Sequence, residues 1–258
     1  MEETKSSVNQ PQELQRIGNG RLPDHPSLYA MAPDQIVYTQ TRLVTLSPAR
    51  LRERRVIAAL EEGPLTEAYK ILRTQVILRM RENGWNLLGI TSPGPGAGNS
   101  LTAANLAVSL ALEVRQTVLL VDANFRSPAM HQLFGISESP GLVDHLLDHK
   151  PVKDLLVHPG FPRLVLLPAG RAVRGSSELL TSPPMLSLIS ELKNRYASRI
   201  VIFDLPPLLP TDDVLALSPY IDAMLLVIEA GRTQTEDIIQ SLRLLKGIPI
   251  LGTVLNKG

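Results

Sequence analysis

The chain contains no cysteine. That excludes a disulfide framework and any thiolate metal site. It also lacks an apolar run of the about 18 residues that a membrane-spanning helix needs. No apolar core follows Met1-Glu2-Glu3-Thr4-Lys5, so no secretory signal is expected there. Neither sign of charge dominates: 26 Lys and Arg stand against 25 Asp and Glu, a net +1. Nothing general therefore calls for nucleic acid as a partner. His25, His131, His145, His149 and His158 lack metal-ligand spacing and read as surface or satisfied side chains. These absences together predict a cytoplasmic protein.

What is present is apolar and ordered in blocks. With 258 residues, 44% of them hydrophobic, the chain can form one large α/β domain plus a tail. Residues 1–46 read as that tail. Up to about Leu28 it is polar and carries Pro11, Pro23 and Pro26, a composition of disorder; Gln35 to Val44 is a short β-prone arm. Residues 47–84 read as a helical extension. A first helix opens at Ser47-Pro48 and runs through Leu51, Val56, Ile57 and Leu60 to Gly63-Pro64. A second spans about Leu65 to Asn83, with Tyr69, Leu72, Val76 and Met80 on one face. Glu67, Lys70 and Arg73 lie on its other faces, where i,i+3 ion pairs are the plain reading.

Residues 85–258 form the main domain, and one stretch organises it. The apolar run Leu87-Leu88-Gly89-Ile90-Thr91 enters a loop, Ser92-Pro93-Gly94-Pro95-Gly96-Ala97-Gly98-Asn99-Ser100. A helical segment follows from Leu101 to Val114, and then a second apolar run, Thr117 to Val121, ending in Asp122. Strand, glycine loop, helix, strand, carboxylate is the order of a phosphate-binding βαβ unit. Glycines let the backbone turn its N–H groups onto a phosphate, and the helix start adds unpaired N–H groups. Such a loop ordinarily ends Gly-Lys-Ser or Gly-Lys-Thr; here Asn99 takes the place of the lysine. Alone, the loop reads equally as a Pro/Gly turn.

Leu164–Leu167, Ile200–Phe203, Met224–Ile228 and Ile250–Leu255 are also continuous apolar runs, as expected of strands buried on both faces of a parallel sheet. Helical segments Gly141–Asp148, Pro184–Tyr196, Asp212–Ser218 and Thr235–Lys246 separate most of them. The expected fold is a doubly wound, mostly parallel α/β sheet. Ligands of such sheets bind outside the carboxyl ends of the strands, where Asp122 and Asp204 fall. With the Ser100 hydroxyl they can furnish oxygen ligands for Mg²⁺, although aspartate after a strand is also a common turn residue. Arg126 reads as a phosphate contact or a surface cation. Asn256 reads as an amide for an adenine edge or a turn residue.

At these residues the chain resembles the bacterial P-loop tyrosine kinases of capsule and exopolysaccharide assembly. The likeness lies in Val118 to Arg126 and on to Gly135, in Glu178 to Pro183, and in the Walker B strand Val201 to Pro207. Ala230 to Thr233 and Gly252 to Asn256 extend it, as does Glu67-x-x-Lys70-x-x-Arg73. The resemblance implies a P-loop fold of the deviant, partitioning-ATPase-like type, with ATP and Mg²⁺ as cofactors. It implies nucleotide contacts from Gly94, Pro95, Gly96, Ala97, Gly98, Asn99, Ser100, Leu101, Asn124 and Asn256. It implies metal contacts from Ser100, Asp122 and Asp204, and catalytic roles for Asp122, Asp204 and Arg126. It further implies a ring-forming helix bearing Glu67, Lys70 and Arg73. The partner it implies is a membrane-bound polysaccharide copolymerase, which would place the protein at the inner face of the plasma membrane.

Three features depart from that family. Asn99 replaces the phosphate lysine, Asn124 replaces the second aspartate of Asp-x-Asp, and the tyrosine cluster that the resemblance implies as the autophosphorylated tail is missing, since the last tyrosine is Tyr220. The expected function is an ATP-binding, tyrosine-kinase-like protein of exopolysaccharide synthesis with weak or lost autokinase activity. The alternatives are a nucleotide-responsive scaffold without chemistry, or a partitioning-type ATPase.

Overall fold

The computed structural model describes residues 41–257, apart from 45, 61, 114–115 and 196–198. Residues 1–40 of the expected tail lie outside that range. In chain order the elements are β1 (Arg42–Leu43), α1 (Pro48–Glu53), α2 (Pro64–Asn83), β2 (Leu87–Thr91), α3 (Asn99–Ala111) and β3 (Thr117–Asp122). Then follow α4 (Met130–Leu133), α5 (Leu142–Asp148), α6 (Val152–Leu155), β4 (Val157–His158), β5 (Leu164–Leu167), α7 (Ser176–Leu180), α8 (Pro183–Arg195) and β6 (Arg199–Asp204). The last are α9 (Asp213–Leu217), β7 (Ala223–Glu229), α10 (Thr235–Leu244) and β8 (Ile250–Asn256).

The strands form one sheet in the order β1-β4-β5-β3-β6-β2-β7-β8. Every pairing is parallel except β4 with β5. Side chains alternate across a pleated strand, and here each face has its own core. Leu88, Ile90, Val118, Leu120, Ile200 and Ile202 point to the side covered by α2 and α3. Leu87, Leu119, Val121, Val201 and Phe203 point to the side covered by α5, α8 and α9. Burial on both sides is why these strands read as unbroken apolar runs. The run Ile250–Leu255, expected to be buried on both faces as well, instead forms the edge strand β8 and leaves Leu255 exposed.

The sequence-based boundaries hold within a few residues for all six long strands and for α2, α3 and α8. The first helix is shorter than expected and stops at Glu53. Arg55 then adopts a left-handed φ of +60°, and the backbone N–H groups of Ile57 and Ala58 turn onto the Asn105 side chain of α3. A tertiary bond has displaced the next helical turn. The β-prone arm, in its described part, adds β1 alongside β4 at the edge of the sheet.

Candidate functional site

The loop after β2 rises at the carboxyl ends of the three central strands. Gly96 and Gly98 have φ of +82° and +91°, a backbone region open to glycine and costly for other residues. A Cβ on Gly98 would also collide with the Asn256 amide. Gly98 caps α3, whose first turn carries no acidic residue. The unpaired N–H groups and positive dipole end of that helix are therefore free to meet an anion. The loop is fastened below: the Ser92 hydroxyl donates to the Gly94 carbonyl at 2.8 Å, and the Thr91 hydroxyl to the Pro206 carbonyl at 2.6 Å.

Asp122 and Asp204 end adjacent strands and are direct partners in the β3–β6 register. Both are fully buried. Asp122 accepts backbone N–H bonds from Asn124, Ala129 and Met130. Burial nevertheless pushes its carboxyl up to about 6. Asp204 is held well above the usual carboxylate range, first by burial and then by the Asp122 charge; hydrogen bonds from Ser100 and Asn99 pull the other way. Its Oδ2 is buried without a hydrogen-bond partner. A buried pair of carboxylates with one unpartnered oxygen is an environment short of positive charge. With Ser100 it makes an oxygen-only donor set that fits Mg²⁺.

Asn99 does not point along the loop. It is buried, and its amide donates to the Leu205 carbonyl at 2.6 Å and toward Asp204 Oδ1 at 3.4 Å. It ties the start of α3 to the end of β6. The Asn124 side chain accepts the Ser127 N–H and so caps the turn after β3. Arg126 makes a two-pronged bond to the buried Asp213 at 3.0 and 3.1 Å, with Asp212 3.6 Å away. Ser176 also donates to Asp213, at 2.7 Å. The Asn256 amide donates to the Ala97 carbonyl at 2.8 Å.

The structure thus brings together Gly94, Pro95, Gly96, Ala97, Gly98, Asn99, Ser100, Leu101, Asp122, Asp204 and Asn256. It turns Arg126 onto an acidic partner. The residues that sequence reasoning missed are Asp213 and Ser176 behind Arg126, and Lys257, whose ammonium donates to the Gly96 carbonyl and to Glu229. Only the acidic pair Asp212-Asp213, soon after the β6 strand, offered a signal. Among the described residues no cluster of His and acidic side chains marks a further metal site.

A glycine loop between strand and helix, facing carboxylates on the neighbouring strands, defines a P-loop nucleotide-binding fold. No family model matches the sequence, but individual proteins do. Tyrosine-protein kinase YwqD of Bacillus subtilis is 33% identical over 207 residues, covering 79% of this chain and 86% of that one. The succinoglycan biosynthesis transport protein ExoP of Rhizobium meliloti is 35% identical over 177 residues, covering 66% of this chain and 22% of that one. The chain spans 32% of the length of EpsB from Ralstonia solanacearum, to which it is 29% identical over 252 residues. Among solved structures, the chimerical protein CapA2B2 matches with a TM-score of 0.73 at 26% identity, covering 85% of this chain and 95% of that one. The kinase domain of Escherichia coli tyrosine kinase ETK matches at 0.72 and 27%, covering 88% and 94%. The septum site-determining protein MinD of Pyrococcus horikoshii, 22% identical with a TM-score of 0.53 over 65% of this chain and 68% of that one, shares the fold. The chain belongs to the bacterial tyrosine-protein kinase family.

Proposed function

We propose that this chain binds ATP with Mg²⁺ in the crevice above β2, β3 and β6, and acts in exopolysaccharide assembly with weak or no phosphoryl transfer. The Gly96–Gly98 backbone and the α3 N-terminus would bind the phosphates. Ser100, Asp122 and Asp204 would hold Mg²⁺, which supplies charge neutralisation at those phosphates when bound. Asp122 or Asp204 would accept the proton of an attacking hydroxyl.

The observation that carries the reading of weak transfer is Asn99. Phosphoryl transfer depends on positioning and on charge stabilisation. Where the family sets a lysine, this chain sets a neutral amide already bonded to the Leu205 carbonyl. A missing charge-assisted contact is worth about 1.5–3 kcal/mol. The same observation favours a nucleotide-responsive scaffold as the second reading. ExoP, a succinoglycan transport protein, supports a partner in polysaccharide export, and a membrane-bound copolymerase fits that role. Among the described residues no helix is long and apolar enough to cross a membrane. Attachment at the inner membrane face would run through such a partner. Helix α2, with Glu67 and Lys70 exposed, would join copies of the chain.

The test is calorimetry with ATP, with and without Mg²⁺, followed by radiolabel transfer on the same sample. Mg²⁺-dependent binding with little transfer is the expected result. No heat at millimolar nucleotide would defeat the binding reading, and rapid tyrosine labelling would defeat the weak-transfer reading.

A further inference from the structure

The loop lacks its lysine at position 99, yet another lysine stands against it. At the end of β8 the side chains of Asn256 and Lys257 lie against residues 96–98. The Lys257 ammonium donates to the Gly96 carbonyl at 2.6 Å and to the Glu229 carboxylate at 3.2 Å. Arg232 lies 3.7 Å from the same Glu229 oxygen. Two cations therefore share one carboxylate at the rim of the loop, and the first turn of α3 adds no acid to offset them. Lys257 adopts a left-handed φ of +60°, uncommon for a residue with a side chain. Its side chain stays half-exposed.

The peptide bond supplies the second half of the argument. In a trans peptide plane the C=O and the following N–H point in opposite directions. Holding the Gly96 carbonyl on Lys257 therefore turns the Ala97 N–H the other way. Holding the Ala97 carbonyl on the Asn256 amide does the same for the Gly98 N–H. Inward-turned N–H groups on consecutive residues are what a phosphate loop offers its anion.

We propose that Lys257 is a positioning residue for nucleotide phosphates: it holds the loop carbonyl outward and supplies, at the rim, the positive charge that residue 99 lacks. The inference rests on the ATP-binding reading above. The test is titration with a fluorescent ATP analogue and Mg²⁺ on wild type, Lys257→Met and Lys257→Arg, at low and high salt. Thermal melting checks that each variant is folded. Lys257→Met should bind about tenfold more weakly, equivalent to about 1.4 kcal/mol. Lys257→Arg should bind close to wild type. The gap between wild type and Lys257→Met should narrow at high salt, because a half-exposed charge is screened. Equal affinity in wild type and Lys257→Met would overturn the inference alone, as would equal loss in both variants or a gap that ignores salt. Wild type that binds no ATP would overturn the inference together with the reading beneath it.

Discussion

Asp204 keeps a carboxylate oxygen buried and unpartnered beside a second buried acid. Its raised pKa, and that of Asp122 at about 6, mean that the folded state holds these protons more tightly than the unfolded chain. The stability gained from them is complete below the unfolded value of about 4 and is lost as pH rises through the folded values. Without nucleotide or Mg²⁺, Asp204→Asn should therefore raise the melting temperature at about pH 8 and leave it unchanged near pH 4, by about 2–4 °C for each kcal/mol relieved. It should also abolish any Mg²⁺-dependent shift. Calorimetric melting at both pH values reads this, and a variant that melts lower at about pH 8 would contradict it. Asn99→Lys removes the bond to the Leu205 carbonyl at a cost of about 1 kcal/mol. Freed from that carbonyl, the lysine should raise ATP hydrolysis or transfer to a tyrosine peptide at least tenfold, which takes only about 1.4 kcal/mol from the barrier. Adding Asn124→Asp should raise it further. Phosphate-release assays on wild type and both variants decide, and three equally inert proteins that bind ATP normally would exclude the lysine as the missing part. The loop and the two aspartates were legible in the sequence because glycine spacing and strand-end acids are local signals. The inward turn of Asn99 was not, because its acceptor is a backbone carbonyl 106 residues away. Nor was the fate of Arg126, whose partner Asp213 lies 87 residues further on.

Helix α3 joins the phosphate loop to the helical extension. Asn105 uses both ends of its amide there: it accepts the N–H groups of Ile57 and Ala58 and donates to the carbonyls of Arg55 and Leu101. Asn105→Ala would leave two backbone donors without partners, at a cost of at least about 2 kcal/mol. A lower denaturation midpoint, with faster amide exchange at residues 57 and 58, is expected; unchanged exchange there would refute it. Across α2, Arg73 donates to the Ser109 carbonyl of α3, and Ser109 donates back to the Tyr69 carbonyl. Arg73 is thus occupied within the fold, and the sequence had placed it among solvated ion pairs. Of the three, and among the described residues, Glu67 and Lys70 form such a pair, at 2.7 Å. If α2 joins copies of the chain, Glu67→Arg should weaken the assembly without touching the α2–α3 clamp. Light scattering over a concentration series would show wild type growing in mass and the variant lagging. A wild type that stays monomeric throughout would count against the contact. The long strands could be read from their apolar runs, whereas α1 could not, because its end is set by Asn105 rather than by any breaker in its own sequence.

At the scale of the molecule, the eight strands of the described residues place the loop, Asp122 and Asp204 on the contiguous strands β2, β3 and β6. The loop's carbonyl partners, however, lie at the end of the outermost strand, β8. Ala97 meets Asn256 across 159 residues of chain, and Gly96 meets Lys257 across 161. Contacts so distant in sequence carry a loop-closure cost before they give anything back. At synthesis rates of about 5–20 residues per second, the loop waits on the order of ten to thirty seconds for its last partners to be made. A nascent chain can therefore hold most of its sheet and still lack a finished loop, so that whatever the loop holds is held later than the shape is made.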